Sequence, residues 1–134
     1  MISKNLLAIR MANLEKTYKT KKLPLTHQKR QLYQCLAQRC DHPDAKTLHQ
    51  ELLHSLPTLS LATVYSNLKQ FVILGLAQEI KSSDTSIHYD ADISIHAHVV
   101  EKGDIQDLPI QTNLLSPSTL KDKKIKKIEL TYYL

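Results

Sequence analysis

Residues 61–75 read LATVYSNLKQFVILG, and this stretch predicts a helix with one apolar and one polar face. Ser60 can cap its amino end, and Gly75 is a favourable residue just past its carboxyl end. The apolar positions recur at helical spacing and are Leu61, Val64, Leu68 and Phe71 or Val72. The polar side chains left for the other face are those of Thr63, Tyr65, Ser66, Asn67, Lys69 and Gln70.

Three further helices are predicted before this one, over residues 2–18, from Thr26 to about Arg39, and from Ala45 to His54. A basic connector, KTKKLP, fills residues 19–24 between the first two. Thr26 and Asp44 can cap the second and third helices, and Pro43 breaks the helical pattern between them. Cys35 lies on the apolar face of the second helix, where we expect a small core residue.

Two short strands are predicted after the fourth helix, at Leu76–Lys81 and Ile87–Asp90, joined by a polar turn. A helix, a turn, a polar-faced helix and then a hairpin are typical of a winged helix-turn-helix. In that fold the polar-faced helix, here the fourth of the chain, enters the DNA major groove. The hairpin, called the wing, follows the DNA backbone. The alternative is a small helical domain that binds protein partners.

The charge distribution favours a polyanionic partner for this part of the chain. Residues 1–90 carry 12 lysines and arginines against 7 acidic residues, whereas residues 91–134 carry 6 of each. The whole net charge of +5 therefore lies in the predicted DNA-binding part.

Residues 93–100, ISIHAHVV, alternate between apolar and polar positions and predict a half-buried strand. His96 and His98 share one face of it, about 6–7 Å apart along the strand. Acidic residues flank this pair at Asp90, Asp92, Asp104 and Asp107. Imidazole nitrogen with carboxylate oxygen suits Fe(II), Mn(II) or Zn(II). The alternative is a strand with two exposed histidines and solvated acids.

Residues 91–134 are too few to build an independent core. A turn-rich segment is expected from Leu108, and a last strand within residues 125–134. A second copy of the chain is the economical partner, and a twofold dimer matches palindromic DNA. No stretch is apolar enough for a membrane span, and two cysteines without a CxxC pair fit a reducing cytosol.

Several stretches together resemble the ferric uptake regulator family of metal-dependent bacterial repressors, and most closely its peroxide-responsive branch. These stretches are THQKRQLYQCL, DHPDAKTLHQELLHSLPTLSLATVYSNLKQFVILGLAQE, IHYD and IHAHVV, within residues 26–107. The resemblance implies an α+β fold with an N-terminal winged helix, here residues 1–90. A short α/β dimerisation domain, here residues 91–134, would follow, with a regulatory metal bound between the two.

The resemblance also implies a ligand set for one regulatory ion per subunit. The positions that match the family's ligands are His42, Asp90, His96, His98 and Asp107. Three imidazoles and two carboxylates leave one position open on six-coordinate Fe(II) or Mn(II), where hydrogen peroxide could bind Fe(II). Aspartate at position 107 is similar to the peroxide-responsive branch, and His42 and His96 are the expected oxidation sites.

The second helix departs from the family pattern. The usual Thr-Pro-Gln-Arg reads Thr-His-Gln-Lys here, with Arg30 one residue later, which alters the expected DNA contacts. Lys81 and the basic connector suit phosphates. The residues expected to bind DNA are Lys29, Arg30, Ser60, Thr63, Tyr65, Ser66, Asn67 and Lys69.

Further departures concern the metals. The paired CxxC motifs that hold a structural zinc in the family are missing, so no structural zinc is expected. The loop before Asp107 is two residues shorter than usual, which makes Asp104 a rival ligand. His88 shares a strand face with Asp90 and could enter the site.

The sequence thus predicts a cytoplasmic, homodimeric, metal-dependent transcriptional repressor that senses peroxide through Fe(II)-catalysed oxidation of ligand histidines. The alternative within the family is an iron- or manganese-availability regulator without peroxide sensing. A third interpretation, from another class, is a small non-haem iron enzyme. The basic N-terminal part and the scarcity of glycine, at 2 residues, favour a regulator, so no enzymatic activity is expected.

Overall fold

A computed structural model describes residues 1–82, 85–93, 96–101, 104–109 and 127–131, with side chains through residue 93. The chain divides into two compact units, Met1–Ile80 with Ile87–Asp92, and Lys81–Ser86 with Ile93–Leu134. That the first binds DNA and the second dimerises stays a prediction. None of the described helices is both long enough and apolar enough to cross a membrane.

The first unit contains four helices, each capped by a side chain. The helices are α1 (Lys4–Thr20), α2 (His27–Ala37), α3 (Ala45–Leu52) and α4 (Leu61–Ile73). In each case the cap oxygen accepts a hydrogen bond from the backbone N–H three residues later, which satisfies a donor that the helix leaves open. The caps are Ser3, Thr26, Asp44 and Ser60, of which the last three were predicted.

The helix ends differ from the predictions by one or two residues. The first helix begins and ends two residues later than predicted, and the second and third each end about two residues earlier. The fourth ends in a Schellman motif, in which Gly75 N–H donates to Val72 O at 3.1 Å and Leu76 N–H to Phe71 O at 2.8 Å. Gly75 has φ +74°, as the predicted residue past the helix end requires.

The core of the first unit lies among the four helices. Tyr33 of α2 is almost fully buried, and its ring meets that of Phe71 edge-on at 5.1 Å and 83°. The Tyr33 hydroxyl donates to the carbonyl oxygen of Leu76 at 2.9 Å, so the buried hydroxyl has a hydrogen-bond partner. Cys35 is buried, as predicted, and its Sγ lies 3.3 Å from Oε2 of Glu51.

A two-stranded sheet follows, formed by β1 (Gln78–Lys81) and β2 (Ile87–Asp90). The second strand has the predicted bounds, whereas the first begins two residues later than predicted. On its other side β2 is joined to the loop before α3, since Tyr89 N–H donates to Pro43 O at 2.9 Å. The element order is that of the predicted winged helix-turn-helix.

The second unit contains a three-stranded antiparallel sheet of β3 (His96–Glu101), β4 (Asp104–Pro109) and β5 (Lys127–Thr131), in the order β4-β3-β5. The predicted strands at 93–100 and 125–134 correspond to β3 and β5. The strand β4 was not predicted, because two aspartates and a proline are rare in strands. Its place at the edge of the described sheet tolerates the proline.

Replacing Gly75 by alanine measures the free-energy cost of placing a side chain on the left-handed backbone at the end of α4. A Cβ at this position would meet no atom within 4 Å, so the cost comes from the positive φ alone. We expect Gly75→Ala to lower the free energy of unfolding by about 1 kcal/mol. Urea denaturation measures this, and Gly75→Asn should recover part of the loss. An alanine variant as stable as the wild type would contradict the assignment.

Candidate metal site and nucleic-acid interface

A buried histidine and a buried aspartate face each other in the first unit. Nε2 of His42 lies 3.4 Å from Oδ2 of Asp90, and the two side chains are only 8% and 9% exposed. His42 comes from the loop before α3, and Asp90 is the last residue of β2. Two of the five predicted ligands therefore lie together, although they are 48 positions apart in sequence.

Backbone groups hold both members of this pair. Nδ1 of His88 lies 2.5 Å from the carbonyl oxygen of His42, and because a carbonyl only accepts, Nδ1 carries the proton. Oδ1 of Asp90 accepts from Asp92 N–H at 2.8 Å. The carbonyl oxygen of Asp92 in turn accepts from Nε2 of Gln78 at 2.7 Å. The sequence suggested that His88 could enter the metal site, but its Nδ1 is used to fix the loop that carries His42.

An imidazole nitrogen and a carboxylate oxygen that converge in this way can bind one divalent cation from two sides. Among the side chains that the structure describes, through residue 93, no group of three or more histidine, cysteine or acidic residues could hold a metal ion. The His42–Asp90 pair is thus a half-site that needs further donors.

The sheet of the second unit brings other predicted ligands into register. His98 of β3 is directly opposite Asp107 of β4, and His96 lies two residues before it on the same face. Asp104, the rival ligand, is opposite Glu101 at the end of the hairpin. Since Asp104 is three residues from Asp107, it belongs to the other face of the sheet. The register therefore supports Asp107 over Asp104.

The outer face of α4 carries most of the side chains expected there. Tyr65 is 44% exposed, and Ser66 and Lys69 are also exposed. Ser60 is exposed too, but its Oγ accepts from Thr63 N–H at 3.1 Å and lies 2.8 Å from Oγ1 of Thr63. The Ser60 hydroxyl caps the helix and the Thr63 hydroxyl contacts it, which leaves Tyr65, Ser66 and Lys69 as the exposed polar surface of α4.

The prediction that Asn67 lies on this outer face is wrong. Asn67 is only 6% exposed, because it follows Val64 by three residues and precedes Phe71 by four, within the buried stripe. Gln70 is likewise not free, since its Oε1 accepts from the Tyr18 hydroxyl at 2.5 Å and joins α4 to α1. A buried side chain cannot reach a base edge.

The two basic residues predicted to contact DNA from α2 take part in contacts with their own domain. Arg30 donates to Glu15 of α1, with Nη2 2.7 Å from Oε1, and is 38% exposed. Nζ of Lys29 lies 3.3 Å from Pro24 O and 5.5 Å from the centre of the Tyr18 ring. Both contacts are at the surface, where such pairs contribute little stability. A phosphate could therefore replace Glu15 at Arg30.

A loop next to the half-site is held by charged groups. Arg39 donates to both carboxylate oxygens of Asp41 at 2.7 Å and also to Glu51 of α3. The hydrogen bonds from Arg39 hold the pKa values of Asp41 and Glu51 below their usual range. Asp41, the residue before His42, is thus tied to α3 through Arg39.

Residues 20–133 match the model of the ferric uptake regulator family. The peroxide-responsive repressors PerR of Staphylococcus epidermidis and of Staphylococcus aureus strain USA300 are each 30% identical to the chain over 76 residues. These residues make up 57% of this chain and 51% of each relative. The chain thus spans about half the length of the curated relatives it matches.

Solved structures share the fold. The ferric uptake regulator of Helicobacter pylori has a TM-score of 0.72 at 14% identity, covering 100% of this chain and 93% of that one. PerR of Streptococcus pyogenes, described as a peroxide sensor, has a TM-score of 0.60 at 26% identity, covering 92% and 88%. A zinc uptake regulator bound to zinc and DNA scores 0.61 at 19% identity, covering 78% and 73%. With a family model that matches most of its length, the chain belongs to the ferric uptake regulator family.

Proposed function

We propose that this chain is a metal-dependent, DNA-binding transcriptional repressor of the bacterial cytoplasm. The observation that carries the proposal is the buried His42–Asp90 pair, which joins the loop before α3 to the end of β2. A metal bound there would act directly on the helix pair α3–α4 that a winged helix uses to read DNA. Family membership favours this function over that of an iron enzyme.

The proposed regulatory ion is Fe(II) or Mn(II), with His42, Asp90, His96, His98 and Asp107 as ligands. The donor set fits, because imidazole and carboxylate groups suit these ions and two carboxylates balance the charge of a divalent cation. In support, the His42 ring and the Asp90 carboxylate converge, and His98 and Asp107 are directly opposed. Since the ligands come from both units, binding one ion would favour a single arrangement of the chain over others.

The finer proposal is peroxide sensing. Fe(II), if held by these five residues, would supply the one-electron chemistry that reduces hydrogen peroxide. Overall, one oxygen atom would be added to a ligand imidazole, of His42 or His96, and the other would leave as water. An oxidised imidazole is a poor ligand, so repression would end. The 30% identity to PerR relatives supports this proposal.

The second candidate is a regulator of iron or manganese supply that does not use ligand oxidation. It is supported by a zinc-bound manganese uptake regulator with a TM-score of 0.65 at 20% identity, a structural likeness comparable with that of PerR. The proposals share the DNA-binding surface and the metal site. They differ in whether an oxidant can reach the ion.

We propose a homodimer that binds a palindromic operator, with the second unit as the dimerisation element. The register supports this, because apolar residues share one face of the sheet: Ala97 and Val99 of β3 with Leu108 of β4 and Ile128 and Leu130 of β5. A twofold dimer presents two copies of α4 to two half-sites.

The proposed role of α4 predicts two different effects of mutation. Tyr65→Ala should remove sequence preference, because the tyrosine is exposed on the face that would enter the major groove. Lys69→Ala should weaken binding to all sequences similarly and lower the salt slope by about one, since the proposed partner of this lysine is a phosphate. Fluorescence anisotropy with a selected operator and with random DNA measures both. Lys4→Ala, an exposed lysine of α1, is the control, and equal behaviour of the two α4 variants would contradict this placement.

The metal switch predicts that His98→Ala leaves a folded dimer that binds the operator poorly with or without Mn(II). The imidazole that would be lost is the ligand opposite Asp107. His54→Ala, which removes an exposed histidine of the first unit, should behave as the wild type does. Operator titrations with and without Mn(II) measure the difference. Full affinity in the metal-free wild type would exclude the switch.

Asp107→Glu separates the two family functions. Glutamate is one methylene longer and can bind through both oxygens, which would fill the open position of Fe(II). This variant should keep Mn(II)- and Fe(II)-dependent operator binding but lose peroxide-triggered oxidation of His42 and His96. Mass spectrometry after peroxide treatment should find one added oxygen in the wild type with Fe(II) and none with Mn(II). If the Fe(II) wild type keeps its operator through peroxide, the metal-supply regulator takes the place of the sensor.

A further inference from the structure

His98 has an acidic residue directly opposite it on both neighbouring strands. On β4 the residue is Asp107, and on β5 it is Glu129. Because β3 is the middle strand, the three residues form one row across the sheet. The sequence analysis identified Asp107 as a ligand but did not use Glu129. Nothing in the sequence indicates that β5, which carries Glu129, pairs with β3.

The sequence pattern independently places Glu129 on the same face as His98. On β5 the apolar residues Ile128 and Leu130 flank Glu129, and on β3 the apolar residues Ala97 and Val99 flank His98. The register matches these apolar residues with each other, Val99 with Ile128 and Ala97 with Leu130. Register and alternation therefore agree, and a slip by one residue would put Glu129 on the apolar face.

A histidine that binds a metal uses one ring nitrogen and retains an N–H on the other. In metalloproteins this N–H is nearly always donated to a carboxylate, a carbonyl or water, which fixes the tautomer and the ring orientation. Directly opposed residues of an antiparallel sheet have Cα atoms about 4.5–5.5 Å apart, within reach of a glutamate and an imidazole. With Asp107 used as a ligand, Glu129 is the remaining carboxylate of the row.

We propose that Glu129, placed across β3 from His98, is the positioning residue that accepts a hydrogen bond from the His98 imidazole and orients it toward the regulatory metal. This inference rests on the metal site of the proposed function, although it is independent of peroxide sensing. It assigns to β5 a part in metal affinity besides its part in the sheet.

The test compares Mn(II) binding in full-length variants. Glu129→Gln keeps an oxygen acceptor at the same distance from the backbone and should lower affinity about tenfold. Glu129→Thr, a strand-compatible residue, removes the carboxylate and leaves only a hydroxyl on a shorter side chain, so it should lower affinity toward about 100-fold. Glu101→Gln is the matched control, since Glu101 lies in the same strand as His98 but on the opposite face. Electron paramagnetic resonance of free Mn(II) gives the affinities.

A second measurement reports the hydrogen bond itself. In the Co(II)-loaded protein, ring N–H protons of bound histidines give shifted, exchangeable NMR signals. The signal that His98→Ala removes should persist in water for the wild type and be lost by fast exchange in Glu129→Thr. Paramagnetic relaxation of water protons measures how many water molecules are bound to Mn(II). That number should be the same in Glu129→Gln as in the wild type.

The outcomes separate this inference from the proposed function. If His98→Ala weakens Mn(II) binding but both Glu129 variants stay within twofold of Glu101→Gln, the role of Glu129 is wrong and the metal site stands. If the wild type binds no Mn(II), or His98→Ala binds it as the wild type does, the proposed site itself fails. An additional bound water in Glu129→Gln would show that Glu129 is a ligand, which overturns the positioning role.

Discussion

The attachment of β2 to the loop before α3 is the constraint on which the site in the first unit depends. Tyr89 N–H donates to the carbonyl of Pro43, and the His88 ring is bonded to the carbonyl of His42. These bonds satisfy backbone groups that would otherwise be buried without partners. The same bonds set the position of His42 relative to Asp90. The wing therefore cannot separate from the helix-turn-helix without also separating His42 from Asp90. The same hydrogen bonds stabilise the fold and position the two candidate ligands.

Features that depend on neighbours in sequence were predicted well. The ends of α4 are an example, because a cap at Ser60 and a left-handed residue at Gly75 act within one helical turn. The helical spacing of apolar residues likewise depends on near neighbours in sequence. It predicted the four helices and their order in the winged helix. The pairing of His42 with Asp90 is different in kind. It came from family resemblance, since no local pattern links residues 48 positions apart.

Features set by tertiary contacts were not predicted. Asn67 is buried because the stripe of α4 that faces the core is wider than its apolar residues suggest. The strand β4 contains residues that are rare in strands, so its existence depends on pairing with β3. His88 was considered as a residue that could enter the metal site, and its bond to a backbone carbonyl could not be inferred from sequence. In all three cases the partner, rather than the residue, decides the structure.

The buried thiol of Cys35 has a chemical consequence for a protein that would meet an oxidant. Burial, together with the hydrogen bond to Glu51, raises the pKa of Cys35 to about 12. Only the thiolate attacks peroxides, and at neutral pH it would be about one part in 10⁵ of the total. The Cys35 thiol is therefore a poor nucleophile toward peroxide, which disfavours its oxidation to sulfenic acid. Under the proposed peroxide-sensing function, oxidation would fall on the ligand imidazoles and leave the core of the first unit intact.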